Sequence, residues 1–205
     1  DYCIIYRKVI CNIDVSTLNF GRIFNAKRTE QTNAGCSRRV VVMPYKPTWV
    51  ANAFLSSAKA DGVNDIDQLK IQKLVYCLHG WYLAIRGEPV VGELYEAWPY
   101  GPVLSSLYHE FKWIGRKPIA VYATDIDPQT GEKRSLMVAK SDKDFYEVFD
   151  RVWDRYKGYT GIHLSKLTHA RKTPWFNARK RGDDYILNDE IRSHFVAIAN
   201  KGAGA

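Results

Sequence analysis

Histidine and cysteine are the residues of this chain best suited to acid–base, nucleophilic or metal chemistry. The histidines are His79, His109, His163, His169 and His194, and the cysteines are Cys3, Cys11, Cys36 and Cys77. No two histidines lie three or four residues apart, and no Cys-x-x-Cys pair, zinc-protease motif or glycine-rich phosphate loop is present. We therefore predict no catalytic residues, no metal and no cofactor. An enzyme built from dispersed histidines is the weakest alternative that we keep.

The segment 171–181 has the residue types that contact nucleic acid. Its basic residues are Arg171, Lys172, Arg179, Lys180 and Arg181, with two aromatic residues and no acid among them. Cations contact phosphates, and aromatic rings stack on bases. Asp183 and Asp184 follow directly, which favours a solvated helix end whose aromatics turn inward. A nucleic-acid-binding or operon-regulating protein is therefore the alternative function, with this segment as a possible basic patch.

The segment 98–102 is the most unusual stretch of the chain. It reads Trp98, Pro99, Tyr100, Gly101 and Pro102, so that two prolines and a glycine restrict the backbone from which two aromatic side chains project. Exposed tryptophan and tyrosine are typical anchors of protein interfaces. We predict that Trp98, Tyr100, Gly101 and Pro102 form a partner-binding surface together with His109. The alternative is that the aromatics pack between helices.

Composition places the chain among soluble globular proteins. It has 205 residues, of which 46% are hydrophobic, enough for one substantial core. Charges interrupt every apolar run before about 18 residues, the length needed to span a membrane, so we expect a cytoplasmic protein without membrane contact. The net charge is +8, and half of it comes from residues 1–42, which hold seven basic and three acidic residues. The body of the chain is therefore only mildly basic.

Residues 1–42 differ from the rest of the sequence. They show no persistent helical period, they hold three of the four cysteines, and the first methionine of the chain is Met43. We predict an N-terminal extension over 1–42 that does not belong to the folded domain, and a single domain over 43–205. An ordinary N-terminal arm of that domain is the alternative.

Hydrophobic periodicity and capping residues predict a mainly α-helical domain of about six helices with a small β-hairpin. The helices are expected at 48–61, 67–86, 102–113, 141–157, 160–170 and from 188 onward, with a further turn at 174 and a frayed tail at 201–205. Thr48, Ser141 and Asn188 are the expected caps, and Asp67 precedes the second helix. The hairpin is expected to pair 119–122 with 136–138, because both runs are apolar and a polar stretch with glycine separates them.

Three groups of motifs follow one another in an order that identifies a family. The first is LKIQKLVY at 69–76, HGWYL at 79–83 and GEP at 87–89. The second is EAWPYGPV at 96–103 with YHEF at 108–111, and the third is LSKLTH at 164–169 with PW at 174–175. From about residue 48 to residue 195 the chain resembles the Panacea family of antitoxins, which includes SocA-like and phage-associated GepA-like proteins.

The resemblance implies a helical domain with a small β-element, encoded in toxin–antitoxin operons and on mobile elements. Members bind a neighbouring toxin protein, and some act as adaptors that pass the toxin to an ATP-dependent protease. The resemblance implies no catalytic residue. We therefore expect an antitoxin that neutralises a cognate toxin by direct binding. Its binding of the toxin could also serve as the adaptor step for proteolysis of the toxin.

Overall fold

Seven α-helices carry the fold in the computed structural model, which describes residues 43–202. They are α1 (Pro47–Asp61), α2 (Gln68–Arg86), α3 (Ser105–Phe111), α4 (Lys143–Tyr156), α5 (Gly161–His169), α6 (Pro174–Arg181) and α7 (Asn188–Gly202). The strands are β1 (Tyr95–Trp98), β2 (Gly101–Val103), β3 (Asp125–Ile126), β4 (Lys133–Arg134) and β5 (Tyr185–Ile186). The predicted class, mainly α with a small β-element, is confirmed.

Helix α2 is the centre of the domain. Every residue from Lys70 to Ile85 is buried, because α2 contacts α1, α3, α4, α5 and α7 as well as β2. Leu78 is fully buried, and Gly80 is needed for close packing: a Cβ there would lie 2.1 Å from the ring of Phe195 on α7. The wide apolar stripe in the sequence therefore predicted the core helix correctly.

The predicted helix caps lie one or two residues away from the observed helix starts. Helix α4 begins after Asp142, which caps it, rather than after Ser141. Asn188 is already the first residue of α7. Thr48 lies inside α1, which begins at Pro47 and has no side-chain cap. Proline is favoured in the first turn of a helix, because the N–H that it lacks would be left without a partner there.

Helix α2 begins after Asp67, whose side chain accepts a hydrogen bond from the backbone N–H three residues later, at 2.7 Å.

A three-stranded antiparallel sheet, in the order β2-β1-β5, packs beside α2. We call β1, β2 and the turn between them, residues 95–103, the aromatic hairpin. The helix predicted to start at Pro102 begins only at Ser105, because residues 102 and 103 belong to strand β2. The side-chain amide of Gln72 bonds both the N–H and the carbonyl of Leu104, at 2.9 and 3.0 Å.

The second hairpin lies a few residues away from its predicted position. Strand β3 pairs with β4, inside the stretch expected to be a turn, whereas 119–122 and 136–138 are irregular. The side chain of Asn52 on α1 is the reason. It bonds the N–H and carbonyl of Ala123 and the carbonyl of Leu136, at 2.7 to 2.9 Å, and so occupies backbone groups that a ladder would need.

The predicted extension, residues 1–42, and the last three residues lie outside the described part of the chain. Helix α7 continues to Gly202, past the expected start of the tail at residue 201. Among residues 43–202 no helix is both long and apolar enough to cross a membrane.

Candidate partner-binding surface at the aromatic hairpin

The turn of the aromatic hairpin is held by side chains from α5 and α6. Four consecutive carbonyls, of residues 97 to 100, accept hydrogen bonds: Ala97 from Arg179 (3.3 Å), Trp98 from Trp175 (2.7 Å), Pro99 from His169 (3.2 Å) and Tyr100 from Ser165 (3.3 Å). The antiparallel register pairs Trp98 with Gly101, so Pro99 and Tyr100 form the tip. The backbone of this tip is therefore fixed by the domain itself.

The inner side of the hairpin rests on Lys73 of α2. Its ammonium group is fully buried, donates to the carbonyl of Pro102 at 2.8 Å, and has no carboxylate in ion-pair distance among the described residues. Burial lowers the pKa of Lys73 to about 7, because the low-dielectric interior disfavours the charged form. The sequence offered one signal for this residue, a lysine within an otherwise apolar helical stripe.

Gly101 and Pro102 belong to this inner side. Gly101 has φ of +106°, and a Cβ there would lie 2.7 Å from the Lys73 ammonium and 3.0 Å from the Thr168 hydroxyl. Pro102 is buried as well. Both residues therefore position the hairpin from within, and any part they have in partner binding is indirect.

Trp98, Tyr100 and His109 lie on the outside. Tyr100 at the tip is 76% exposed. The ring of Tyr108 on α3 lies 4.9 Å from that of Trp98 and 5.4 Å from that of His109. The rings of Trp98, Tyr108 and His109 therefore form a continuous row. Trp98 is half-buried and its indole N–H donates to Glu96 at 2.5 Å. Trp98 and His109 thus lie at the two ends of one row of rings, and Tyr100 is exposed at the tip of the hairpin.

Tyr185 and Leu187, which sequence reasoning missed, extend this aromatic surface across the sheet. Tyr95 pairs with Ile186 and both are buried, so the next pair, Glu96 and Tyr185, points to the opposite face. Tyr185 is 51% and Leu187 is 56% exposed. Strand β5 has two residues, too few for an alternating pattern to be recognised in the sequence.

Comparison with known proteins places this architecture in a family. The family model described as Antitoxin SocA-like, Panacea domain, matches residues 71–176, which is more than half of the chain and includes the aromatic hairpin. The chain belongs to the SocA-like antitoxin family. The Antitoxin SocA of Caulobacter vibrioides (strain NA1000 / CB15N) is 33% identical over 160 residues, which cover 73% of this chain and 84% of that protein. No solved structure gives a significant match.

In this SocA-like chain the family motifs meet at one place. Lys73 lies in the first motif group, 96–103 is the hairpin itself, and His169 and Trp175 belong to the third group. The ring of Trp175 lies 3.9 Å from that of His169. Both ring nitrogens of His169 face carbonyls, that of Pro99 and, at 2.6 Å, that of Ser165.

The basic segment of the SocA-like chain borders the hairpin. The indole N–H of Trp175 donates to the Trp98 carbonyl, so this aromatic side chain turns inward. Arg179 donates to the Ala97 carbonyl of the hairpin. Arg181 forms ion pairs with Asp183 at 2.7 Å and Glu190 at 2.9 Å. Three exposed cations of the segment form neither an ion pair nor a hydrogen bond in the described part of the chain: Arg171, Lys172 and Lys180. The predicted patch is therefore reduced to these three charges at the rim of the hairpin.

The remaining histidine and cysteine candidates lie in different surroundings from one another. The ring of His79 is buried, lies 2.9 Å from the side-chain oxygen of Asn188, and has its pKa lowered to about 4 by burial. Burial likewise lowers the pKa of His194 to about 4 and raises that of the Cys77 thiol to about 12, so Cys77 is a thiol and not a nucleophilic thiolate at neutral pH. Within residues 43–202 no three His, Cys, Asp or Glu side chains are grouped to hold a metal.

Proposed function

We propose that this chain is an antitoxin that neutralises a cognate toxin protein by binding it with the outer side of the aromatic hairpin. We call Trp98, Tyr100, His109, Tyr185 and Leu187 the hairpin surface. Membership of the SocA-like family supports the antitoxin role. The chain acts in this proposal as a non-catalytic regulator.

One observation carries the choice of surface: Tyr100 is 76% exposed on a turn whose backbone is already fixed. A partner that binds Tyr100 has little loop entropy to overcome, because side chains of α5 and α6 hold carbonyls of residues 97 to 100 in the free protein. Large aromatic side chains with few rotatable bonds are the commonest strong anchors of interfaces. The hairpin surface has the rigidity and residue type of a binding epitope.

The unpaired cations beside the hairpin indicate which charges the toxin carries at the interface. Arg171, Lys172 and Lys180 are exposed beside the hairpin, so a partner with acidic groups around an apolar centre fits this surface. Charges at the rim of an interface chiefly speed up association, whereas the buried centre supplies most of the affinity. Neutralising these residues therefore slows association more than it speeds dissociation.

Neutralisation by binding is compatible with two outcomes for the toxin. In direct inhibition the toxin persists in an inactive complex. In adaptor action the complex is passed to an ATP-dependent protease, and the half-life of the toxin in cells falls when the antitoxin is co-expressed. Both outcomes begin with the same contact, so a pulse-chase experiment separates them without affecting the proposal.

Nucleic-acid binding is the weaker proposal. Its cations are present, but the aromatic ring that would stack on a base, Trp175, is committed to Trp98 and His169. An electrophoretic shift with the DNA of its own operon, repeated at increasing salt, tests it, because phosphate contacts weaken steeply with salt.

Replacing Tyr100 by alanine tests the hairpin surface. We expect Tyr100→Ala to weaken toxin binding by about 2 kcal/mol or more, roughly thirtyfold in Kd, with an unchanged thermal melt. The toxin is the product of the adjacent reading frame, and binding is measured by calorimetry with the purified pair. Ile126→Ala is the matched control, since Ile126 is an exposed apolar residue on the other hairpin, 54% accessible. Unchanged affinity in the Tyr100 variant would place the interface elsewhere.

A further inference from the structure

A second candidate surface lies between the end of α1 and the segment 118–122. An open groove of about 390 Å³ separates them, lined on the α1 side by Leu55, Ala58, Val63 and Ile66. Val121 on the opposite wall is 47% exposed. Buried apolar side chains such as Leu55 and Ile66 line the groove together with polar groups such as Asn64.

The wall formed by 118–122 has free backbone groups. Ile119 donates to the Ile66 carbonyl at 2.7 Å, and the Ala123 N–H donates to Asn52 at 2.8 Å. Between these two anchors, the N–H and carbonyl groups of residues 120–122 make no hydrogen bond to any residue of the described chain. The residue types favour a strand, but the backbone is irregular here and bends at Val121, and no strand of residues 43–202 pairs with it. Its free N–H and carbonyl groups can therefore accept an extended peptide.

An exposed tryptophan and several cations stand at the end of this wall. Trp113 is 72% exposed, and Lys112, Arg116 and Lys117 are exposed around it, directly before Pro118 of the groove. Lys59 of α1 lines the groove as well. None of these four cations has an ion pair within residues 43–202.

The neighbouring carboxylates are already partnered. Asp61 accepts from Trp153 and pairs with Lys157, and Asp65 pairs with Lys70. Glu110 accepts from the backbone of residue 124 and keeps its negative charge. The four cations outnumber this carboxylate, so the net charge around the groove is positive.

We propose that this groove binds an extended acidic segment of a partner protein, which adds as a strand along residues 120–122 and packs on Trp113. Carboxylates of the segment meet Lys59, Lys112, Arg116 and Lys117, and its apolar side chains enter the groove. A nucleic-acid strand matches the cations but has no apolar side chain for the groove, so a protein segment fits the observations better. This inference is independent of toxin binding at the hairpin surface.

The probe is a fluorescein-labelled peptide of alternating glutamate and valine, about eight residues long, the length of an ordinary strand. Fluorescence anisotropy with the full chain is expected to show binding to this peptide and none to its lysine–valine counterpart. The charge-reversal triple variant Lys112→Glu, Arg116→Glu, Lys117→Glu is expected to bind the acidic peptide at least about tenfold more weakly, as is Trp113→Ala.

Matched controls keep the outcomes distinct. A triple variant at exposed lysines elsewhere, Lys133→Glu, Lys143→Glu, Lys166→Glu, makes the same change in net charge and should bind as the unmodified chain does. Peptides methylated on the backbone nitrogens of either the valines or the glutamates test strand addition, because methylation removes the N–H donors. At least one of the two peptides should bind about tenfold more weakly. Equal losses in both triple variants, no loss on either methylation, or tighter binding of an oligothymidine strand than of the acidic peptide would overturn the proposal.

Discussion

At the scale of single residues, the unusual feature of this protein is a buried ammonium group without a counter-charge. Lys73 has one hydrogen-bond acceptor, the Pro102 carbonyl, and no carboxylate close enough to pair with it in the described part of the chain. Lys70, one turn's distance away in the sequence, is also fully buried but pairs with Asp65 at 2.6 Å. The burial cost of Lys73 is therefore uncompensated, and it appears as the lowered pKa.

Lys73 makes the stability of the fold depend on pH. Its pKa is about 7 in the folded chain and about 10.4 when unfolded, so between these values the unfolded state binds more protons and stability rises with pH. From pH 7 to 8.5 we expect the free energy of unfolding to rise by about 1 to 2 kcal/mol. Denaturant unfolding at several pH values measures this, and Lys73→Met should remove the rise.

Other buried groups change the stability with pH mainly outside the range from pH 7 to 8.5. Burial lowers the pKa values of His79 and His194 to about 4, so their contributions to a rising stability end near pH 6.5, the unfolded value. The raised pKa of Cys77 causes stability to fall above about pH 8.5, where the unfolded thiol ionises. A slope between pH 7 and 8.5 that persists in Lys73→Met would show that Lys73 is not its source.

At the scale of elements, the two hairpins differ in how tightly the domain surrounds them. Gly101 of the aromatic hairpin and Gly131 of the β3–β4 hairpin both have positive φ, +106° and +72°. A Cβ at Gly131 would meet nothing within 4 Å, whereas one at Gly101 would lie 2.7 Å from the buried Lys73 ammonium. The aromatic hairpin therefore packs against the core, whereas the β3–β4 hairpin is exposed.

Alanine substitutions at the two glycines should therefore have different costs. Both variants suffer the strain of a left-handed backbone, about 1 kcal/mol or more. Gly101→Ala must in addition displace Lys73, so we expect it to destabilise the fold by at least about 1 kcal/mol more than Gly131→Ala. Denaturant melts of the two variants measure the difference. Equal costs would mean that Lys73 moves aside freely.

At the scale of the whole molecule, helices α1 to α7 surround one core. Helix α2 is buried over nearly its full length by contacts with helices on all sides, and α7 contacts it through Phe195 at Gly80. We propose, as the sequence led us to expect, that residues 43–205 are an independent folding unit, because the helical periodicity begins after residue 47 and the helices α1, α3, α4, α5 and α7 already contact α2.

Removing residues 1–42 tests this proposal. The melting temperature should change by less than about 5 °C, which corresponds to roughly 1 kcal/mol or somewhat more for a domain of this size. Calorimetric melts of the full chain and of 43–205 measure the change. Removing residues 188–205 is the control and should unfold the protein, because it uncovers α2. A larger shift on removing 1–42 would show that this segment stabilises the core.

The sequence by itself determined the helices, the central role of α2 and the family. Helical periodicity is a local signal repeated over many residues, so stretches such as Gln68–Arg86 and Lys143–Tyr156 were recognisable within a few residues of their ends. The motif groups identified the SocA-like family because several of them occur together in order.

Only the tertiary structure decided where the strands lie and which residues of the hairpin reach solvent. Strands of two to four residues have no recognisable period, and their positions depend on side chains distant in sequence: Asn52 occupies the backbone at Ala123 and Leu136, and Gln72 holds Leu104. Lys73 and Thr168 likewise surround Gly101, whereas the neighbouring Tyr100 is left exposed. Sequence neighbours thus have opposite roles because residues about thirty to seventy positions away determine their surroundings.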